Sequence, residues 1–260
     1  RLKIISKWGT GINSIDTEAA SQLGVIVGNT PNAFTLPVAD TVMAYMLAFA
    51  RQIVWVDREI RAGRWEKLPV YSLSECTLGV VGIGNIGSAL IRRARAFGMR
   101  ILGTDIRPIR RDFILETGTE LVDLHTLLKE ADYVSLNCDL NPTSYHLMNA
   151  KTLACMKPTS VLINTARGPI VDQPALVATL QNGQIAGAAL DVFEHEPLTA
   201  DDPLCQMDNV LLGPHNANAS PAALEHVFYK TFHNLLVGLG IPDDDLVEVG
   251  GFLVEEGRYA

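Results

Sequence analysis

Cysteine is scarce in this chain and never clustered. Four residues, Cys76, Cys138, Cys155 and Cys205, are scattered over 260 positions with no C-x-x-C and no metal-ligand spacing. That scatter excludes a disulfide framework and a zinc site, and no metal is expected; it suits a reducing cytoplasm. Basic excess is lacking too. Lys and Arg total 21 against 29 Asp and Glu, a formal net charge of −8, so no extended nucleic-acid surface is expected. The one basic cluster, Arg92, Arg93 and Arg95, reads as a solvated helix face. No apolar run reaches membrane-spanning length; the longest, VMAYMLAFA, is too short. No signal peptide is expected, no internal repeat or low-complexity tract appears, and the chain opens at Arg1 without a methionine, as expected of a piece of something longer.

What is present is a core-forming composition. Hydrophobic residues make up 48% and charged residues 19%, which excludes disorder and leaves room for more than one domain. The organising stretch is LGVVGIGNIGSAL, Leu78 to Leu90. An apolar run ends in Gly82, then come Gly84 and Gly87, and a helical pattern follows. Gly82 allows a tight turn, Gly84 lets the backbone approach a pyrophosphate, and Gly87 lets helix and strand pack closely. The helix N-terminus from Asn85 offers unpaired N–H groups and a positive dipole end to phosphates. A second apolar run, MRILGT, ends at Asp105. A carboxylate there can accept both ribose hydroxyls of adenosine and repel a 2′-phosphate, which favours NAD over NADP. Arg107, Arg110 and Arg111 follow at once and could tolerate a phosphate.

In chain order, LKIISKWGTG reads as a short strand and Gly-rich turn, INSIDTEAASQLG as a helix, and VIVGNT as a strand halted by Pro31. This fragment completes no sheet, and a parallel domain would need more strands upstream. VADTVMAYMLAFARQIVWVDREIRAGRW reads as one long helix whose apolar surface exceeds a single stripe. Burial against a partner chain, or within its own subunit, would explain that width. After the glycine loop, helix and strand alternate: strands are expected at Tyr133 to Leu136, at Ser160 to Asn164, ending at Asp191, and ending at His215, with a closing helix in SPAALEHVFYKTFHNLLVGLG. Such alternation means an α/β fold with a doubly wound parallel sheet.

Ligands of such sheets bind at the carboxyl ends of strands. Four positions fall there: Asn137–Cys138, Thr165–Ala166–Arg167, Asp191 to Glu196, and His215. Arg167 can hold a substrate carboxylate bidentately. His215 can give or take a hydroxyl proton. A carboxylate can orient that imidazole; Glu196 serves, while Glu194 and His195 in DVFEHEP are rivals. Asp191 could simply fix a turn. His125, His146, His226 and His233 read as structural.

The stretches GTGINSIDTEAA, NTPNAF, VADTVMAYMLAFAR, GRWE, LGVVGIGNIG, KPTSVLINTARGPIVD, IAGAALDVFEHEPL and DNVLLGPHNA resemble the D-isomer-specific 2-hydroxyacid dehydrogenases, most of all their D-3-phosphoglycerate dehydrogenase branch. The resemblance covers Leu2 to about Leu236. It implies a Rossmann domain with a second, truncated flavodoxin-like substrate domain: residues 38–228 for the NAD-binding domain, 1–37 as a remnant of the substrate domain, and 229–260 as a tail returning to it. It implies Arg167, Glu196 and His215 as the catalytic residues, the glutamate being the one before the proline. It implies Thr30, Asn85, Ile86, Asp105, Cys138, Thr165 and Asp191 around NAD, with Gly82, Gly84 and Gly87 in the loop. It implies substrate contacts from Lys7 and the backbone amides of Gly9, Thr10 and Gly11, and a homodimer through the long helix from Val38. The activity implied is NAD-dependent interconversion of a D-2-hydroxy acid and its 2-oxo acid. The rivals are an NAD(H)-sensing corepressor-like binding protein and an inert fragment.

Four departures bear on this. Lys7 stands where the family commonly has arginine, and a point charge in place of a fork weakens the case for phosphoglycerate. NCDL replaces the usual His-x-Pro-Leu, and HNANAS the usual histidine followed by small glycines. The family's substrate domain also begins some 50 residues earlier than Arg1, so only its last strand–helix–strand is expected here.

Overall fold

A computed structural model describes residues 1–241. The chain divides into two compact units, one made of Arg1–Pro37 and the chain from Asn218, the other of Val38–Ala217.

The first unit opens with β1 (Ile4–Ser6), α1 (Thr17–Gln22) and β2 (Ile26–Gly28). The two strands pair in parallel, Ile4 opposite Ile26. Asp16 caps α1 by accepting the Ala19 N–H, as its place before the helical spacing suggests.

The second unit begins within α2 (Thr35–Arg51), followed by α3 (Ile53–Arg61). The sequence predicts one helix here; the structure breaks it. Gln52 sits in the left-handed region (φ 53), which a right-handed helix cannot carry through. Beyond the break none of α3 is buried, whereas α2 buries Val38, Ala39, Val42, Met43, Met46, Phe49 and Ala50. Trp55 turns back on Phe49, ring centroids 4.9 Å apart, and its indole N–H donates to the Asp208 carbonyl at 2.8 Å.

The sheet follows: β3 (Thr77–Val81), α4 (Asn85–Ala96), β4 (Arg100–Thr104), α5 (Arg111–Thr117), β5 (Glu120–Leu121), α6 (Leu124–Glu130), β6 (Tyr133–Leu136), α7 (Ala150–Leu153), β7 (Val161–Asn164), α8 (Gln173–Gln181), β8 (Gly187–Leu190) and β9 (Val210–Leu212). Its seven strands run parallel in the order β5-β4-β3-β6-β7-β8-β9. The order reverses between β3 and β6, the switch point where such sheets open a crevice. Strand residues alternate between two cores. Leu78, Val80, Ile101, Tyr133, Val161, Ile163 and Ala189 join α2 and α4 on one face. Val81, Leu102, Val134, Leu136, Leu162, Ala188 and Leu190 join α6 and α8 on the other. With both faces covered, the strands read as continuous apolar runs.

The chain returns to the first unit with α9 (Pro221–Leu239), capped by Ser220. The division at Ala217 precedes this helix, whereas the boundary expected from the sequence, Phe228, falls inside it. Within that unit the Ser6 hydroxyl donates to the Thr231 carbonyl (2.6 Å) and the Asn234 amide to the Asn29 carbonyl (2.8 Å). The expected tail beyond Ile241 lies outside the described residues. Among those residues no helix is long and apolar enough to cross a membrane, and no cluster of His, Cys, Asp and Glu could hold a metal ion.

Candidate active site

The glycine loop leaves β3 at Gly82, whose φ of 92 only glycine adopts readily. A Cβ there would also lie 2.7 Å from the Cys138 nitrogen. On Gly87 a Cβ would fall 2.1 Å from the Gly82 carbonyl oxygen, so the first turn of α4 presses on the loop itself. Gly84 differs: a Cβ would meet nothing nearer than an Arg107 nitrogen at 3.8 Å, which leaves its backbone open to an incoming group. No side chain caps α4, whose first residues are Asn85 and Ile86, and Asn85 is exposed. These features fit a pyrophosphate.

Asp105 follows β4 with its side chain 4% exposed. One oxygen accepts the Ile83 N–H at 2.7 Å and the other the Arg107 N–H at 2.8 Å. The carboxylate thus holds the glycine loop to the turn that follows β4. Burial pushes the Cys138 thiol, beyond β6, up to about 11. Thr165 is buried just past β7.

The other half of the edge comes from β7, β8 and β9. Asn164, Leu190 and Leu212 lie in register across these strands, and Arg167, Asp191 and His215 follow them. Asn164 braces the arginine loop with both ends of its amide: Nδ2 donates to the Arg167 carbonyl at 2.9 Å and Oδ1 accepts the Ala166 N–H at 3.1 Å. The sequence marked Arg167 but not its brace.

Asp191 is 1% exposed. Its oxygens accept the Asn216 and Ala217 N–H groups, at 3.1 and 2.8 Å. Desolvation raises its carboxyl pKa against those two bonds. Burial and the Asp191 charge push the Tyr45 phenol up to about 12. The Asp191 bonds fix the turn after β9, which stops at Leu212 short of the expected end at His215. His215 itself lies in that turn with φ 56, outside strand geometry.

His215 Nδ1 lies 2.7 Å from Glu196 Oε2. Glu196 Oε1 accepts the Phe193 N–H at 3.0 Å, so the carboxylate is held at both oxygens. The three-way ambiguity among Glu194, His195 and Glu196 resolves here. Glu194 pairs with His146 at 2.6 Å, and His195 is exposed.

In the first unit, Lys7 donates its N–H to the Gly28 carbonyl at 2.7 Å and leads into the Gly9–Thr10–Gly11 loop. The Gly9 amide, expected to face substrate, donates to Thr30 Oγ1 at 3.1 Å. Thr30 is fully buried, so its hydroxyl serves the loop. The Thr10 hydroxyl donates to the Thr30 carbonyl at 3.2 Å and the Asn29 amide to the Thr10 carbonyl at 2.7 Å.

A parallel sheet with a glycine loop at its switch point, an acid after the second strand and a carboxylate-backed histidine on the same edge define a dinucleotide-binding α/β protein equipped for proton transfer. Comparison with known proteins narrows this. Residues 43–217 match the family model "D-isomer specific 2-hydroxyacid dehydrogenase, NAD binding domain". A glyoxylate reductase of Korarchaeum cryptofilum is 43% identical over 243 residues, 91% of this chain and 73% of the relative. A D-3-phosphoglycerate dehydrogenase of Methanocaldococcus jannaschii is 40% identical over 226 residues, 86% of this chain and 43% of the relative. The crystal structure of a D-lactate dehydrogenase from Aquifex aeolicus, complexed with NAD and lactic acid, superposes with a TM-score of 0.87 at 29% identity, covering 96% of this chain and 79% of that one. The chain belongs to the D-isomer-specific 2-hydroxyacid dehydrogenase family, whose members are NAD-dependent oxidoreductases, and carries that family's NAD-binding domain. Relatives named for glyoxylate and for phosphoglycerate both match it, so the likeness does not single out the phosphoglycerate branch.

Proposed function

We propose that the chain interconverts a D-2-hydroxy acid and its 2-oxo acid with Arg167, Glu196 and His215 as the catalytic residues. The observation that carries this is the 2.7 Å contact between His215 Nδ1 and Glu196 Oε2, on a sheet edge that also bears Arg167. With Nδ1–H donated to the carboxylate, His215 Nε2 is left to take the hydroxyl proton on oxidation, and to return it on reduction. Glu196 fixes that tautomer and stabilises the imidazolium. The Arg167 guanidinium holds the substrate carboxylate and polarises the neighbouring carbonyl. Bound NAD would accept or supply the hydride. Gly82, Gly84, Asn85, Ile86 and Gly87 would hold its pyrophosphate, Asp105 its ribose, and Cys138, Thr165 and Asp191 would line the rest. Lys7, Thr10 and Gly11 would bound the substrate.

The substrate we favour is a small, unphosphorylated 2-oxo acid such as glyoxylate. Lys7 in place of an arginine fork, and relatives named glyoxylate reductase, support it. An NADH-oxidation panel of glyoxylate, hydroxypyruvate, pyruvate, 2-oxoglutarate and phosphohydroxypyruvate tests both levels. Glyoxylate or hydroxypyruvate turned over best supports the choice; a preference for phosphohydroxypyruvate overturns it. NADH binding with no turnover of any acid would replace the enzyme with a nucleotide-sensing protein.

The partner we propose is a second copy, docked on α2–α3. Ile53, Val54 and Ile60 on α3 and Trp65 just past its end are exposed, an apolar surface that self-association would cover. Sedimentation should give a dimer that Trp65→Glu weakens; a wild-type monomer at micromolar concentration contradicts this. All four cysteines are free thiols, consistent with a cytoplasmic setting.

A further inference from the structure

The molecule holds a second histidine–carboxylate pair beside the first. His146 Nε2 lies 2.6 Å from Glu194 Oε1, two residues before Glu196. His146, like His215, is in the left-handed region, with φ 48, a conformation that surrounding structure must hold in place. Its ring stacks on Tyr145, centroids 4.0 Å apart. Its N–H donates to the Pro169 carbonyl at 2.9 Å, just past Arg167, and its own carbonyl accepts the Asn149 amide at 2.9 Å. His146 therefore grips the arginine loop with its backbone and the glutamate loop with its side chain.

Two contacts make that grip stiff. A Cβ on Gly168 would fall 1.9 Å from the Phe193 carbonyl atoms and 2.5 Å from the Glu194 nitrogen, so the two loops touch backbone to backbone. The Glu194 N–H also donates to the Gln173 side chain at 3.2 Å. Of the two carboxylates in the loop, Glu194 is the more enclosed, its side chain 18% exposed against 36% for Glu196. The inner acid anchors the loop and the outer one is left to His215.

We infer that His146 and Glu194 are positioning residues: they set the place of Glu196, and through it the His215 imidazole, relative to Arg167. The inference deepens the catalytic reading above and rests on it for its meaning, not for its measurement. Removing the pair lets the Glu196 loop shift, and shifts on the scale of an ångström at a reacting group cost rate and not cofactor affinity.

The test compares Glu194→Ala, His146→Asn, their double variant and Glu194→Gln in the full chain. Asparagine tolerates the left-handed backbone but cannot reach Glu194. The 15N resonance of His215 Nδ1 reads its contact with Glu196 at fixed pH, with Glu196→Ala as reference. It should move toward that reference in Glu194→Ala and His146→Asn, by the same amount in the double variant, and stay near wild type in Glu194→Gln, whose amide still bonds His146. Turnover per NADH-binding site should fall about tenfold in the first three, with NADH affinity unchanged. A His215 signal unmoved in both single variants overturns the inference. Failure of the wild type to reduce any 2-oxo acid strikes the catalytic reading instead, and the NMR outcome still decides this one.

Discussion

The two halves of the sheet edge are built differently. The half around β3 and β4 is made of backbone: Gly82 turning, Gly87 pressed on its carbonyl, Gly84 left open, and Asp105 clasping the loop. The half around β7, β8 and β9 is made of side chains braced by other side chains or by distant amides. Asn164 holds the Arg167 loop, Asp191 the His215 turn, and Glu196 the His215 ring. A nucleotide needs a surface its phosphates can approach, which absent side chains provide. Proton transfer needs one ring in one orientation, which only a directional partner provides.

That contrast yields separable failures. The largest expected effect is on the backbone half. Gly87→Val puts a branched side chain where even a Cβ would be 2.1 Å from a carbonyl oxygen. The loop must open, and NADH binding by fluorescence should be lost while the acid-binding half has no reason to change; retained affinity would break the distinction. Next is Glu196→Gln. Turnover should fall about a hundredfold, within the usual range for a group supporting proton transfer, with NADH affinity unchanged in the same titration.

The smallest effect concerns Cys138. Its thiol pKa is raised by desolvation to about 11 from an ordinary 9.0. A raised thiol pKa favours the neutral form, so its contribution to stability is full below the unfolded value and is lost as pH climbs toward 11. At pH 8 the thiolate is about a hundredfold rarer than for an ordinary cysteine, partly offset by higher intrinsic nucleophilicity. Alkylation mapped by peptide mass should run about tenfold slower at Cys138 than at exposed Cys205; equal rates would show the site to be wetter than its geometry.

The backbone half was legible in the sequence because its determinants are local. Three glycines at fixed spacing and an acid after the next apolar run carry their meaning in order, and so do the alternating strands from Tyr133 to Leu190. The break at Gln52 was not legible, since no glycine or proline marks it and the apolar spacing runs on through Ile53, Val54 and Trp55. Nor were α5 and β5, too short for a period to register. In the side-chain half, the residue types were visible but not their pairing. DVFEHEP offers three candidates for one histidine; the family resemblance points to Glu196, and the folded loop pairs Glu196 with His215 and, unforeseen, Glu194 with His146. Asn164 acts on a loop that a turn brings back to it, so its bracing role shows only in the fold, whereas the turn-fixing role of Asp191 was among the readings its position allowed.

On the catalytic reading proposed above, cofactor binding and proton transfer reside in different halves of one edge. The most direct measurement is NADH affinity and 2-oxo acid turnover on matched preparations of wild type and His215→Asn. Affinity should be unchanged and turnover lower by about a thousandfold. A variant that turns over at the wild-type rate, or one that no longer binds NADH, would contradict the account.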